Sequence, residues 1–298
     1  MISRTEKLMG NRFIISIDAN EDSHLQAAVD EIRRIETLFT TFSEDSITAE
    51  INRNAGIQPV KVPREYFELV QRSLKISELT GGMFDLTYGS LDKSLWNFDI
   101  GLKELPLKAI KKNLRLVNYR RIILDAEESS VYLANAGMRI GFGGIGKGYA
   151  ADRAVALLKS RGVTSGVVNA SGDLKTWGTY KGGPWTIAVA DPDAPQYPFS
   201  QLEVGEMAVA TSGPYEKFTL INGKRYSHTI DPRSGLPISG LKSVTVVCPH
   251  AELADAMTTP LSVLGVRDGL ALINRMENIA CILVDERNQV YTSKHLQA

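Results

Sequence analysis

The chain has 298 residues, enough for one large domain or two modest ones. Apolar residues make up 43% and charged residues 23%, the balance of an ordinary water-soluble globular protein. Lys plus Arg and Asp plus Glu are equal at 34 each, which argues against a broad nucleic-acid or anionic-membrane footprint but leaves room for a local basic pocket. Cys248 and Cys281 are the only cysteines. They have no short spacing and each lies in an apolar run, so buried free thiols are expected rather than a zinc site or a disulfide framework. No stretch reaches the roughly 18 apolar residues of a transmembrane helix. The start, Met1-Ile2-Ser3-Arg4, carries no apolar leader core and no lipobox cysteine, so a cytoplasmic location is expected of the sequence as given. A leader removed before this start would instead make the protein periplasmic or membrane-anchored.

In chain order, Arg12 to Asp18 alternates apolar residues and predicts a strand. Asp22-Ser23 caps a helix to about Phe39, with Leu25, Ala28, Val29, Ile32, Ile35 and Leu38 on one face. A second helix is expected from Arg64 to Leu79, stopped by Thr80-Gly81-Gly82. The stretch from Phe84 to Leu105 is aromatic and irregular, and short strands follow near Arg121–Leu124 and Val131–Leu133. Met138 to Phe142 reads as a strand running into Gly143-Gly144-Ile145-Gly146-Lys147-Gly148, then a helix from about Tyr149 to Ser160. Strands are expected near Gly166–Asn169, Trp185–Val189, Glu206–Ala210, Lys217–Ile221, Lys224–Ile230 and Ser243–Val247. Helices near Glu252–Leu264 and Val266–Met276 precede strands near Ala280–Val284 and Val290–Thr292. The mixture implies an α+β fold of largely antiparallel sheets with flanking helices, one domain over residues 1–298 with two lobes.

Three stretches carry chemistry. Gly141-Phe142-Gly143-Gly144-Ile145-Gly146 satisfies G-x-G-x-x-G, and Lys147 follows. Gly148 stands where a P-loop has Ser or Thr, and the next strand ends in Asn169-Ala170-Ser171-Gly172 rather than the acidic residue of a Rossmann site. What survives is phosphate contact: close backbone N–H groups, a helix N-terminus and one lysine. The bland alternative is a tight turn with a solvated lysine. Asp255 and Thr259 are four apart, so on a helix they share a face and offer the oxygen ligands that suit Mg²⁺. Pro260 suggests that this helix starts near Ala254, which leaves a simple helix cap as the other reading of Asp255. In Tyr226-Ser227-His228-Thr229-Ile230-Asp231-Pro232-Arg233-Ser234-Gly235, His228 ends a strand before a turn and is either structural or catalytic.

Together these stretches resemble the FAD:protein FMN transferases, once described as thiamine-biosynthesis lipoproteins. The likeness runs from Met9 to about Gly265 and includes Met9-Gly10, Phe42-Ser43-Glu44-Asp45-Ser46 with Asn52, and Gly81-Gly82-Met83-Phe84-Asp85-Leu86-Thr87 with Trp96. It continues through the glycine segment to Asp152, Thr211-Ser212-Gly213-Pro214-Tyr215, the His228 stretch, and Ala254-Asp255-Ala256 with Thr259. The resemblance implies that Met9, Phe42, Met83, Phe84, Asp85, Lys147 and Ile230 line FAD. It implies Mg²⁺ at the Gly144 carbonyl, Asp255 and Thr259. Three positions depart from the family's pattern: Gly141 replaces an Asp that contacts FAD, Ser171 replaces a Gly, and Asn11 replaces a Thr.

The activity so implied is attack of an acceptor threonine or serine hydroxyl on the FMN-side phosphorus of FAD, with AMP leaving. His228 is the expected base, and Lys147 with Mg²⁺ would offset the developing charge. The acceptor would be a flavoprotein subunit or domain of a redox complex. Two competing readings are an FAD pyrophosphatase, with water as acceptor, and a flavin-binding protein without chemistry.

Overall fold

A computed structural model describes residues 1–91, 107–191, 193–194, 197–213, 218–221, 224–227, 229–235 and 237–296. The chain divides into two compact units: unit 1 comprises Met1–Glu36, Gly143–Glu216 and Gly240–Ala298, and unit 2 comprises Thr37–Phe142 and Lys217–Ser239. The fold is α+β with largely antiparallel sheets. Among the described residues, no helix is long and apolar enough to cross a membrane.

Unit 1 is built on one antiparallel sheet. Strand β1 (Ile2–Leu8) pairs with β2 (Asn11–Ile17) through a two-residue turn, Met9-Gly10, in which both residues have positive φ, 50° and 71°. Strands β6 (Gly166–Ala170), β7 (Asp173–Trp177), β10 (Ala208–Ser212), β13 (Leu241–Cys248), β14 (Ala280–Asp285) and β15 (Val290–Thr292) complete it in the order β1-β2-β6-β7-β10-β13-β14-β15. Alternation decides which side of β2 is buried: Phe13, Ile15 and Ile17 are fully enclosed. Helix α1 (Asp22–Phe39) buries Leu25, Ala28, Val29, Ile32 and Ile35, the face its periodicity predicts. Helices α5 (Gly146–Ser160) and α6 (Ala251–Ile273) pack on each other and against β7, while α6 also covers β10 and β13. A separate hairpin pairs β8 (Trp185–Ala190) with β9 (Pro198–Val204).

Two expectations in unit 1 are corrected. Helix α5 begins at Gly146, so Gly146-Lys147-Gly148 form its first turn rather than the loop before it. Helix α6 begins at Ala251, not near Ala254, so Pro260 lies inside it and Asp255 sits beyond the first turn. The early start has a physical cause. The Asp152 carboxylate on α5 accepts the Ala251 and Glu252 N–H groups at 3.0 and 2.9 Å, capping α6 from outside its own sequence. Gly265, at φ 74° and ψ −172°, breaks the helical path where two helices were expected to meet.

Unit 2 holds α2 (Ile47–Arg53), α3 (Arg64–Leu79), α4 (Leu107–Leu114) and a small sheet in the order β3 (Val60–Lys61), β5 (Ser130–Leu133), β4 (Ile122–Asp125). It also contains the hairpin β11 (Phe218–Ile221) and β12 (Lys224–Ser227). Phe39 stacks on Tyr66 and Phe142 meets both rings edge-on, with ring centroids 4.8 to 5.3 Å apart. The expected strand Met138–Phe142 is not part of any sheet. Side chains stand in for a neighbouring strand: Asn52 donates to the Ile140 carbonyl at 3.2 Å and accepts its N–H at 2.8 Å, while Ser90 Oγ accepts the Arg139 N–H at 2.9 Å.

Candidate active site

The start of α5 brings two expected residues, Lys147 and Asp255, together in unit 1. Ile145, the N-cap, offers no side chain to the free N–H groups of the first turn. One of these has a protein partner, since the Gly148 N–H donates to Asp255 Oδ2 at 3.0 Å. As the third residue of α5, Gly148 has no intrahelical acceptor for this N–H, and the Asp255 carboxylate supplies one. Gly148 has no alternative at this position. A Cβ there would lie 2.1 Å from the Ala251 carbonyl oxygen, because α5 and α6 approach backbone to backbone. This explains why no hydroxyl residue stands at the position where a P-loop has one.

Lys147 Nζ lies 2.6 Å from Asp173 Oδ2 and 3.5 Å from Asp255 Oδ1. Both carboxylates belong to residues only 4% exposed. Burial alone would lower the lysine pKa, but Asp255 and Asp173 outweigh it and hold the ammonium above the ordinary lysine range. Taking both carboxylates as ionised, the trio carries one net negative charge. Thr259, four residues after Asp255 and half-buried, has no side-chain hydrogen bond to another described residue, whereas Thr258 Oγ1 turns back on the Asp255 carbonyl at 2.8 Å. Asp255 and Thr259, four residues apart on α6, and the Gly144 carbonyl just before α5 are all oxygen donors, and the helix N-terminus at α5 is suited to an anion.

Asp173 was not singled out from the sequence. No local pattern marks it: β7, Asp-Leu-Lys-Thr-Trp, is buried at every position although it contains two charged residues, and that burial shows only in the fold. Asp173 is placed by the turn Ser171-Gly172, whose φ values are 57° and 103°. Ser171 therefore holds a left-handed conformation that glycine adopts freely. The departure at Asn11 also has a local use, since its Nδ2 donates to the Met9 carbonyl at 2.8 Å.

The other expected residues divide differently. Met9 is half-buried in its turn. In unit 2, Phe42 is 90% exposed beside a depression of about 830 Å³ lined by Thr41, Asn52, Arg53, Gly137 and Arg139 among others. Gly141 is pinned through its N–H to the Leu86 carbonyl at 3.0 Å. Met83 and Phe84 are buried, and the Phe84 N–H donates to Thr80 Oγ1 at 3.1 Å. Asp85 Oδ1 accepts the Thr87 N–H and hydroxyl at 2.7 and 2.6 Å, and Oδ2 accepts the Tyr119 N–H at 2.8 Å. Burial raises the Asp85 pKa, a shift these hydrogen bonds reduce without reversing. Ile230 is 2% exposed and packs with Leu91 and Ile110. The turn after it forms as expected: Asp231 accepts from the Arg233 N–H and guanidinium, and the Gly235 N–H donates to the Asp231 carbonyl at 2.8 Å. Burial pushes the Asp231 carboxyl up, but Arg233 brings it below the usual range. His228, Trp96, Pro214 and Tyr215 lie outside the described residues.

The class that the fold defines is antiparallel α+β, and its glycine-rich helix start is of the kind that suits a phosphate group. The family is more specific. The model of the ApbE family matches residues 9–283, and the chain belongs to that family. The FAD:protein FMN transferase of Klebsiella pneumoniae (strain 342) is 34% identical over 289 residues, covering 96% of this chain and 90% of that protein. The crystal structure of the ApbE protein from Thermotoga maritima superposes with a TM-score of 0.90 at 29% identity, covering 98% of this chain and 97% of the other. The apo flavinyl transferase ApbE of Pseudomonas stutzeri gives 0.86 at 29% identity, over 98% and 94% of the two chains.

Proposed function

We propose that this protein transfers FMN from FAD to a threonine or serine hydroxyl of an acceptor flavoprotein, with release of AMP. The observation that carries the reading is the cluster of Lys147 with the buried Asp173 and Asp255 at the glycine-rich start of α5. In the balanced reaction the acceptor oxygen bonds to the FMN-side phosphorus, the bond from that phosphorus to the bridging oxygen breaks, and the oxygen leaves on AMP. The acceptor's proton passes to a base.

Each group in the cluster has a task. The open N–H groups of the first turn of α5 and the Lys147 ammonium would bind and orient the pyrophosphate. Lys147 would also balance charge that grows on the leaving oxygen, worth a few kcal/mol in a water-poor site. Asp255, Thr259 and the Gly144 carbonyl fit Mg²⁺ in donor type, and the trio's net negative charge favours a cation. Mg²⁺ bound there would supply Lewis-acid stabilisation of the phosphoryl oxygens. We assign FAD contacts to Met9, Phe42, Met83, Phe84, Asp85, Gly141 and Ile230, and proton removal from the acceptor to His228. An imidazole with an ordinary pKa near 6.5 is a suitable base at neutral pH. The side chains of Asp85 and Ile230 are engaged in packing and internal hydrogen bonds. Their contacts with FAD would therefore be made by the backbone of the segments that these side chains fix.

Incubation with FAD and Mg²⁺, with and without a candidate acceptor flavoprotein, tests the reading. Transfer predicts AMP only when acceptor is present. AMP without acceptor would make the protein a pyrophosphatase, and no AMP in either case would make it a binding protein.

A further inference from the structure

We infer that Asp173 is a positioning residue that draws the Lys147 ammonium away from Asp255 and so keeps the Asp255 carboxylate open to a divalent cation before substrate arrives. The inference rests on the proposed metal role of Asp255. Lys147 stands between two buried carboxylates at unequal distances, 2.6 Å to Asp173 and 3.5 Å to Asp255. The first is a full charge-assisted hydrogen bond and the second lies at the outer limit of one. A lysine carries three donors on a flexible stem, so it settles wherever a carboxylate holds it. Among the described residues, no carboxylate other than these two lies within 4.0 Å of Lys147 Nζ. With Asp173 gone, the ammonium has Asp255 alone to close upon. It would then occupy the oxygen that a metal needs.

The placement of Asp173 is specific. It is the first residue of β7, paired with Ala170 across a turn that holds Ser171 in a left-handed conformation. A serine kept at positive φ fixes the strand's entry point, and with it the carboxylate. Asp255 is held from the other side, because the Gly148 N–H occupies its Oδ2 and leaves Oδ1 facing the lysine. Two anchored carboxylates with one mobile cation make an arrangement with two seats, and the geometry seats the cation on Asp173.

The test titrates the full chain with Mn²⁺, an oxygen-preferring probe, without FAD. Free Mn²⁺ is followed by electron paramagnetic resonance, and Mg²⁺ is added as competitor. Asp255→Ala should abolish saturable binding. Asp173→Asn should weaken it about tenfold, the scale of lost support behind a metal ligand. The deciding comparison is the double variant. If Asp173 acts only through the lysine, Asp173→Asn with Lys147→Met should bind as tightly as Lys147→Met alone. A double variant weaker than Lys147→Met by the same tenfold would mean that Asp173 acts by its charge alone, and the inference falls while the metal reading stands. Wild type that binds Mn²⁺ only in the presence of FAD has the same consequence. Saturable binding that survives Asp255→Ala overturns the metal reading and the inference with it. Circular dichroism checks folding; if Asp173→Asn alone fails to fold, the double variant against Lys147→Met still decides.

Discussion

In unit 1 the buried carboxylates of Asp173 and Asp255 share one ammonium, and the Thr259 hydroxyl makes no side-chain hydrogen bond to another described residue. In unit 2 the half-buried carboxylate of Asp85 is bonded at both oxygens by Thr87 and Tyr119, and Ile230 packs with Leu91 and Ile110. Apart from Asp173, these residues belong to the same family pattern yet do different physical work. A buried polar group answered by a rigid backbone N–H builds the scaffold. One that keeps an oxygen facing a flexible side chain of opposite charge, as Asp255 Oδ1 faces Lys147, can exchange that partner for a ligand. Motif membership alone does not distinguish the two, but the hydrogen-bond partners do.

Substitutions sharpen this contrast. The largest effect is expected of Asp255→Ala, which removes the only carboxylate among the assigned metal ligands. AMP release should fall by about 10³-fold or more, and EDTA should stop the wild-type reaction until Mg²⁺ is restored. Wild-type turnover in Asp255→Ala at limiting Mg²⁺ would remove the metal assignment. His228→Ala should lower transfer by about 10²–10⁴-fold with FAD affinity retained. If FAD binding and melting temperature drop together instead, His228 is scaffold, like its unit 2 neighbours Ile230 and Asp231.

Lys147→Met should weaken FAD binding and slow transfer by about 10²-fold, since the ammonium offsets pyrophosphate charge in both states. Unchanged affinity and rate would reduce the lysine to an ion-pair partner. Asp85→Ala should act on stability. It strands the Thr87 and Tyr119 donors, at about 1–3 kcal/mol, and should lower the melting temperature by several degrees. A loss of FAD affinity at unchanged melting temperature would show that the carboxylate itself meets the ligand. The smallest effect concerns the thiols. Burial pushes Cys248 up to about 12 and Cys281 to about 11, so neither should react with iodoacetamide in folded protein at pH 8. Because both folded pKa values lie above the ordinary 9.0, the stability from keeping the thiols neutral is complete below that pH. It declines as pH rises toward 11 and 12. Rapid alkylation at pH 8 would contradict the burial.

Periodicity made much of the scaffold legible. Helices α1 and α3 lie where their apolar spacing and glycine stop put them, as do β6, β8 and β14 within a residue or two. Strand β1 was invisible because it is an edge strand, Ile-Ser-Arg-Thr-Glu-Lys-Leu, whose charges protect the free edge and hide the alternation. Met138–Phe142 failed in the opposite way. Its alternation is real, but its backbone partners are the side chains of Asn52 and Ser90, which no local pattern reveals. In the site, the glycines, Lys147 and the Asp255–Thr259 spacing were readable from local chemistry. Asp173 and the capping by Asp152 were not, because each depends on a contact between distant parts of the chain.

The central claim is that the protein moves FMN onto a protein hydroxyl. The most direct measurement is the intact mass of a candidate acceptor flavoprotein after incubation with this protein, FAD and Mg²⁺, beside a control containing Asp255→Ala. The account predicts a gain equal to FMN less one water, located on a threonine or serine, absent from the control and matched by an equal amount of AMP. An acceptor of unchanged mass alongside free FMN and AMP would contradict it.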